Sequence, residues 1–237
     1  MNQNQTTSSL YNEDLAPVPS NMRTWGTWNY AALWISMSLC IPTYTMASSM
    51  INEGMSWWQA VLTIFIGNAI VLVPMLLNGH AGAKFGIPFP VLARASFGTR
   101  GANIPAMLRA IVACGWFGIQ TWIGGASLYN LIRAWSPKLP LIDTESLFPQ
   151  TLVIECFIIF WLLNMFIIYK GVESIRKLLV FKAIFLPLAA IALFCWAVIA
   201  AKGLGPILET PSAFTDNATF FKFFFPALTA VVGFWAT

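Results

Sequence analysis

The chain has 237 residues, of which 58% are hydrophobic and only 9% are charged, and its formal net charge is +4. Soluble domains carry about 25% charged residues on average, so this composition excludes a soluble domain and predicts an all-α polytopic membrane protein. The basic surplus then reports membrane orientation, and no nucleic-acid partner is expected.

The N-terminal segment is polar, contains acidic residues and lacks the apolar core of a secretory signal peptide. We expect a disordered cytoplasmic tail over residues 1–27 and a transmembrane domain over residues 28–237.

Transmembrane helices need about 20 predominantly apolar residues. Five segments satisfy this requirement: about Tyr30–Met50, Trp57–Leu77, Ile104–Leu131, Thr151–Tyr169 and Leu178–Ala201. A sixth begins near Phe220 and is still apolar at Thr237, so we expect a chain truncated within a helix. The Gly- and Pro-rich segment 78–103 is predicted to be a long loop that is functional or holds its own short structure.

The basic residues are distributed unequally between the two sides defined by these spans. One side carries nine of the 13 and the other carries four. The positive-inside rule therefore places the N-terminus, the 78–103 segment and the turn at 170–177 in the cytoplasm, in a multi-pass protein of the plasma membrane.

The first span contains Pro42, which has no N–H to offer the carbonyl group of Ser38. One interpretation is a proline kink compensated by nearby hydroxyl groups. The other is a discontinuous helix whose carbonyl groups coordinate a cation near the centre of the bilayer. The sequence of this segment does not decide between them.

The third span carries an unusual polar pair, Trp116 and Gln120, which lie four residues apart and so share one helical face. An indole ring beside an amide that donates and accepts would suit a flat heterocycle with N–H and C=O groups. The alternative is a glutamine bonded to a neighbouring helix and a tryptophan that only packs. Trp235 in the sixth span, near Gly233, is a candidate second aromatic face for such a ring.

Catalytic and metal-binding patterns are missing from the sequence, so we predict that the chain is not an enzyme and needs no cofactor. His80 is expected to be a surface or capping residue, and the cysteines other than Cys40 are expected to be small apolar fillers. Glu155 is expected at the level of the lipid headgroups, although an acid within a span can also couple protons.

Three stretches together resemble the nucleobase-cation symporter-1 family, with bacterial allantoin and hydantoin permeases as the most similar members. They are "NEDLAPVPSNMRTWGTWNYAALWISMSLCIPTY", "KFGIPFPVLARASFGTRGANIPAMLRA" and "GWFGIQTW". The resemblance implies a LeuT-type inverted-repeat transporter fold, of which this chain supplies helices one to five and the start of helix six.

The resemblance also implies roles for individual residues. Trp116 and Trp235 match the two tryptophans that sandwich the substrate ring, and Gln120 matches the glutamine that bonds it. The backbone carbonyl groups of Ser36 and Leu39 match part of a sodium site that residues of helix eight complete.

Cys40 stands where a family member has a substrate-binding glutamine, and its thiol is a weaker hydrogen-bonding group. The resemblance implies a cation symporter, coupled to Na+ or H+ and monomeric when full length, that imports a planar amide heterocycle such as allantoin. Uracil, cytosine or another nucleobase is the alternative substrate. A truncated, non-transporting membrane scaffold or assembly partner is the alternative function.

Overall fold

The computed structural model describes residues 11–142 and 150–235. Within these ranges the regular structure is helical, and no strand occurs. The helices are α1 (Thr27–Ser38), α2 (Ile41–Asn52), α3 (Trp57–Phe85), α4 (Phe89–Gly101), α5 (Asn103–Trp135), α6 (Thr151–Tyr169), α7 (Val172–Ala200), α8 (Pro206–Glu209) and α9 (Asn217–Trp235). Five of them, α3, α5, α6, α7 and α9, are long and apolar enough to cross a membrane. The prediction of an all-α polytopic membrane protein is confirmed.

The first predicted span is divided into two helices of 12 residues each, α1 and α2, separated by Leu39 and Cys40. Each is shorter than the roughly 20 residues that a crossing requires. Pro42 is the second residue of α2, a position at which a missing N–H costs no intrahelical bond. A continuous helix with a proline kink is therefore the wrong interpretation, and the helix is discontinuous. The coordination of a cation at this break stays a prediction.

The segment 78–103 is mostly helical, so the prediction of a long loop was wrong, whereas its alternative of a short structure is confirmed by α4. Helix α3 continues to Phe85, and Gly86 ends it in the left-handed conformation with φ of 67°. Pro88 and Pro90 then flank the start of α4, where their fixed φ favours helix initiation. Glycines at 79 and 82 lower helix propensity without preventing a long helix from forming.

The chain divides into two compact units. The first comprises Met1–Gly26, Pro42–Ala110 and Ala192–Thr237, and the second Thr27–Ile41 and Ile111–Ile191.

In the first unit, α3 and α9 pack together at Gly67. A Cβ atom at this position would lie 2.5 Å from a methyl carbon of Val231, which is itself buried. A core of Met50, Met55, Ala60, Ala227 and Val231 surrounds this crossing. The absent side chain thus allows the close approach of two apolar helices.

Residues 12–23 of the N-terminal segment are held against the end of α3 by hydrogen bonds. The prediction of a disordered tail was therefore wrong for these residues. The guanidinium group of Arg23 donates to the carbonyl oxygens of Val18, Lys84 and Phe85 at 2.8–2.9 Å. The N–H of Val18 donates to the carbonyl oxygen of Gly86 at 2.9 Å. A cation placed on the last carbonyl groups of a helix is favourable because that end carries negative partial charge.

The second unit contains the crossing of α5 and α6. A Cβ atom on Gly125 would lie 2.6 Å from the Cα of Phe157, and one on Gly124 would collide with the ring of Phe160. Next to this crossing, Tyr129 is buried with Val153 and Cys156, and its hydroxyl donates to the carbonyl oxygen of Pro140 at 2.8 Å.

Candidate functional site

Trp116 and Gln120 lie on one face of α5 in the second unit, as the four-residue spacing predicts. Trp116 is half-buried and Gln120 is exposed. Among the residues that the structure describes, the amide of Gln120 has no hydrogen-bonding partner. The amide of Gln120, with two donors and two acceptor lone pairs, therefore lies on the same face as the indole ring of Trp116 and is available to bind a ligand.

The neighbouring polar and aromatic residues of α5 have packing roles instead. Thr121 is buried, and its hydroxyl donates to the carbonyl oxygen of Phe117, one turn earlier, at 2.7 Å. The ring of Trp122 lies 6.1 Å from that of Phe157 on α6, tilted by 48°. Trp122 thus belongs to the α5–α6 crossing, on a different face from Trp116 and Gln120, as its spacing predicts.

The residues expected to hold a cation lie where α1 ends. Ser36 is in the last turn of α1 and is 2% exposed, and Leu39 and Cys40 form the non-helical break that follows. The hydroxyl of Ser36 donates to the carbonyl oxygen of Leu179 on α7 at 2.7 Å. The N–H of Leu39 donates to the carbonyl oxygen of Ile35 at 3.1 Å, so the backbone hydrogen bonding of α1 continues up to the break. Coordination of a cation by the carbonyl groups of Ser36 and Leu39 stays a prediction.

Trp235 is the last residue of α9 and belongs to the first unit. Its ring meets that of Phe234 edge-on, with centroids 5.0 Å apart, and it packs against the core around Val231. Of the six residues predicted for the site, five lie in the second unit and Trp235 lies in the first. Its role as a second aromatic face stays a prediction.

The side-chain role of Ser36 was not predicted from the sequence, where only its carbonyl group stood out as a candidate ligand. A cavity of about 490 Å³ between the start of α3 and the start of α9 was also not predicted; Trp58, Phe220 and Phe224 contribute aromatic walls to it. The run "FFKFFF" was the available signal for an aromatic surface there.

Asp216, on the rim of this cavity, caps α9. One carboxylate oxygen accepts the N–H of Thr219 at 2.8 Å, and the other accepts its hydroxyl at 2.7 Å. These hydrogen bonds lower the pKa of the Asp216 carboxyl, the bond from the backbone N–H most strongly. The carboxylate therefore acts as a helix cap.

Titratable side chains do not converge on a catalytic or metal centre in the described ranges, which contain no group of three His, Cys, Asp or Glu side chains able to hold a metal ion. His80 and Glu155 are both exposed.

Comparisons with known proteins agree on one family. The family described as permeases for cytosine/purines, uracil, thiamine and allantoin matches residues 17–237. A purine-uracil permease of Arabidopsis thaliana is 42% identical, covering 99% of this chain and 39% of the plant protein. An allantoin permease of Bacillus subtilis is 38% identical over 98% of this chain and 48% of its own length, and a uracil permease of Saccharomyces cerevisiae is 29% identical over 83% and 32%.

The chain thus spans less than half the length of these relatives. No solved structure matches it significantly.

Proposed function

The chain belongs to the family of permeases for cytosine/purines, uracil, thiamine and allantoin, and from that premise we propose that it acts in a secondary-active transporter. The proposed activity is the import of a small planar heterocycle with amide groups, coupled to Na+ or H+, by alternating access. The family consists of permeases, which confirms the prediction that the chain is not an enzyme.

Allantoin is the favoured substrate, supported by the similarity to the allantoin permease of Bacillus subtilis. Uracil or cytosine is the alternative, supported by the similarity to the purine-uracil permease of Arabidopsis thaliana. The multi-pass protein would lie in the plasma membrane with its N-terminus in the cytoplasm, because the basic residues concentrate on that side.

The observation that carries this proposal is the exposed amide of Gln120 on the same face of α5 as the ring of Trp116. Stacking on one aromatic face contributes about 1–3 kcal/mol for a nucleobase, and a planar amide heterocycle presents a comparable surface. Its N–H and C=O groups would complement the donor and acceptor groups of Gln120. Trp116 would therefore hold the ring, and Gln120 would select its edge.

The break between α1 and α2 supports cation coupling. The backbone oxygen atoms of Ser36 and Leu39 would coordinate the ion, as in other transporters whose helices are interrupted at the binding site. Coupling further requires that ion and substrate both bind one conformation better than the other, since a ligand shifts an equilibrium only through differential affinity.

Uptake of radiolabelled heterocycles by cells that express the gene encoding this chain tests the proposal. We expect uptake of allantoin, competition by hydantoin, and loss of uptake when either Na+ is replaced or the proton gradient is collapsed. Trp116→Ala should lower the apparent affinity by about tenfold or more. Trp122→Ala, on the other face of α5, is the matched control and should retain uptake when expressed to the same level.

Each failure has a separate meaning. Uptake of uracil or cytosine without allantoin would support the alternative substrates. No uptake of any heterocycle by well-expressed protein would favour the membrane scaffold or assembly partner. Undiminished uptake by Trp116→Ala would contradict the assignment of the binding face.

A further inference from the structure

A polar cleft lies in the second unit, between the first turn of α1 and the start of α7. Its volume is about 340 Å³, and it is lined by Trp28, Asn29, Arg176, Lys177 and Val180. This volume is near the lower end of the range for small-ligand pockets. None of these five residues has a role in the transport mechanism proposed above.

The cleft is rich in hydrogen-bond donors and positive charge. The guanidinium of Arg176, the ammonium of Lys177 and the indole N–H of Trp28 are donors only, and Asn29 adds an amide that both donates and accepts. Asp and Glu are absent from its lining. An anion with several acceptor oxygen atoms is the ligand that such a lining complements.

Part of this positive charge is compensated and part is not. Nη2 of Arg176 donates to a carboxylate oxygen of Glu173, one turn earlier, at 2.6 Å. This is the one ion pair in the part of the chain that the structure describes. Lys177 forms no ion pair there and interacts with Glu173 only through a weaker electrostatic attraction. In addition, Nε of Arg176 is shielded from solvent and has no hydrogen-bond acceptor. A buried donor left without a partner is unfavourable, so an acceptor that reached this atom would be stabilised.

The location of the cleft favours a phosphate group. It lies at the N-terminal ends of two helices, α1 and α7, where the backbone contributes positive partial charge. By the sequence-based orientation, this end faces the side of the membrane with nine of the 13 basic residues, the leaflet in which anionic phospholipids concentrate. Trp28 is half exposed, as tryptophans at a membrane interface commonly are.

We propose that this cleft binds the phosphate group of an anionic phospholipid headgroup or of a free phosphate ion. Arg176 and Lys177 would contact the phosphate oxygens, with the planar guanidinium offering paired N–H donors, and Asn29 would supply a donor from the opposite helix. Because the ligand bridges α1 and α7, it would reinforce the bond between Ser36 and Leu179 in the same pair of helices. Glu173 would compete with the anion for Arg176.

Phosphorus NMR titration of the purified protein in an uncharged detergent tests this inference. One arm uses short-chain phosphatidylglycerol and the other uses inorganic phosphate. Lys177→Gln should raise the dissociation constant about tenfold because one charged contact is lost. Glu173→Gln should lower it severalfold, since it removes the competing carboxylate. A gain of affinity cannot arise from misfolding, so this variant keeps the test decisive.

Lys170→Gln is the matched control because Lys170 lies at the same end of the helices, outside the cleft, over the ring of Phe166. We expect its dissociation constant to change by less than about twofold. Binding of phosphatidylglycerol alone identifies a lipid site, and binding of both probes identifies a phosphate site that accepts either source. No binding of either probe, or equal weakening by Lys177→Gln and Lys170→Gln, would overturn the proposal.

Discussion

The hydroxyl group of Ser36 donates a hydrogen bond of 2.7 Å to the carbonyl oxygen of Leu179 and thereby joins the last turn of α1 to α7. The bond lies immediately before the break at Leu39 and Cys40, where the first helical segment of the chain is interrupted. An interrupted helix lacks the continuous backbone ladder that would fix its end, so a side-chain bond to a neighbouring helix takes over that function.

Ser36→Ala removes this bond while keeping the backbone carbonyl group that is proposed to coordinate a cation. We expect a loss of stability of about 0.5–1.5 kcal/mol, because the carbonyl oxygen of Leu179 loses a buried donor. Thermal unfolding of the purified protein measures the change. Ser127→Ala is the control, since the hydroxyl of Ser127 bonds the carbonyl oxygen of Ile123 within its own helix. Equal losses in the two variants would contradict a special role for the bond between α1 and α7.

Gly125→Ala should weaken the α5–α6 crossing. The new methyl group would lie 2.6 Å from the backbone of Phe157, and a helix backbone cannot move aside as a flexible side chain can. We expect a loss of about 1–3 kcal/mol in unfolding measurements. Gly115→Ala on the same helix meets no atom within 4 Å and should be neutral or slightly stabilising. Equal free energies of unfolding for Gly125→Ala and Gly115→Ala would contradict the close contact at the α5–α6 crossing.

Arg23→Lys should release the N-terminal segment from α3. An ammonium group cannot donate simultaneously to three carbonyl oxygens in the fork geometry of a guanidinium. Thermolysin cleavage between Leu15 and Met22 should become about tenfold faster, and mass spectrometry of the fragments measures the rate. Arg100→Lys, at an exposed position of α4, is the control. An unchanged cleavage rate of Arg23→Lys would show that the attachment of the N-terminal segment to α3 does not depend on the guanidinium.

Asp216 should make the start of α9 sensitive to acid. Hydrogen bonds from Thr219 lower the pKa of this carboxyl in the folded state, so the charged form stabilises the fold at neutral pH. That stabilisation is lost as the pH falls below about 4, through the lowered folded-state pKa. Asp216→Asn keeps a capping oxygen but does not titrate, so its melting temperature should fall less steeply over this pH range. Parallel pH profiles for the two proteins would exclude this contribution.

Gln120→Leu should reduce recognition of the edge of the substrate while leaving its ring stacked on Trp116. Competition assays should show about a tenfold or larger loss of affinity for substrates with amide groups, because their hydrogen bonds lose a partner. Asn164→Leu removes an amide from α6 that bonds its own helix at Phe160, and it should have no such effect. Equal selectivity in both variants would mean that Gln120 does not face the substrate.

Apolar length was sufficient to predict five membrane-crossing helices, α3, α5, α6, α7 and α9, whereas the span predicted at Tyr30–Met50 consists of two short helices. Local sequence signals failed in the segment 78–103, where Gly79, Gly82 and two prolines suggested a loop, although glycine only weakens a helix and proline at its start promotes one. They could not decide between a kink and a break at Pro42, because both satisfy the same local restriction on the backbone.

The face shared by Trp116 and Gln120 was predictable because a four-residue spacing fixes which side chains neighbour each other on a helix. The bond from Ser36 to Leu179 joins residues 143 positions apart, and local sequence carries no signal for such a pairing. The hydrogen bonds from Arg23 to α3 could not be predicted for the same reason. Their acceptors are backbone carbonyl oxygens, which every residue type has, so the side chains at these positions give no signal.

Equilibrium binding of a radiolabelled heterocycle to the purified protein is the decisive test of whether Trp116 and Gln120 recognise the substrate. The ligand is the heterocycle that is taken up most efficiently in the uptake experiment. The proteins compared are the wild type, Trp116→Ala, Gln120→Leu and Trp122→Ala. We expect Trp116→Ala and Gln120→Leu to bind the heterocycle about tenfold or more weakly than the wild type and Trp122→Ala to bind it like the wild type. Equal binding by all four proteins would contradict the assignment of Trp116 and Gln120 as the surface that recognises the substrate.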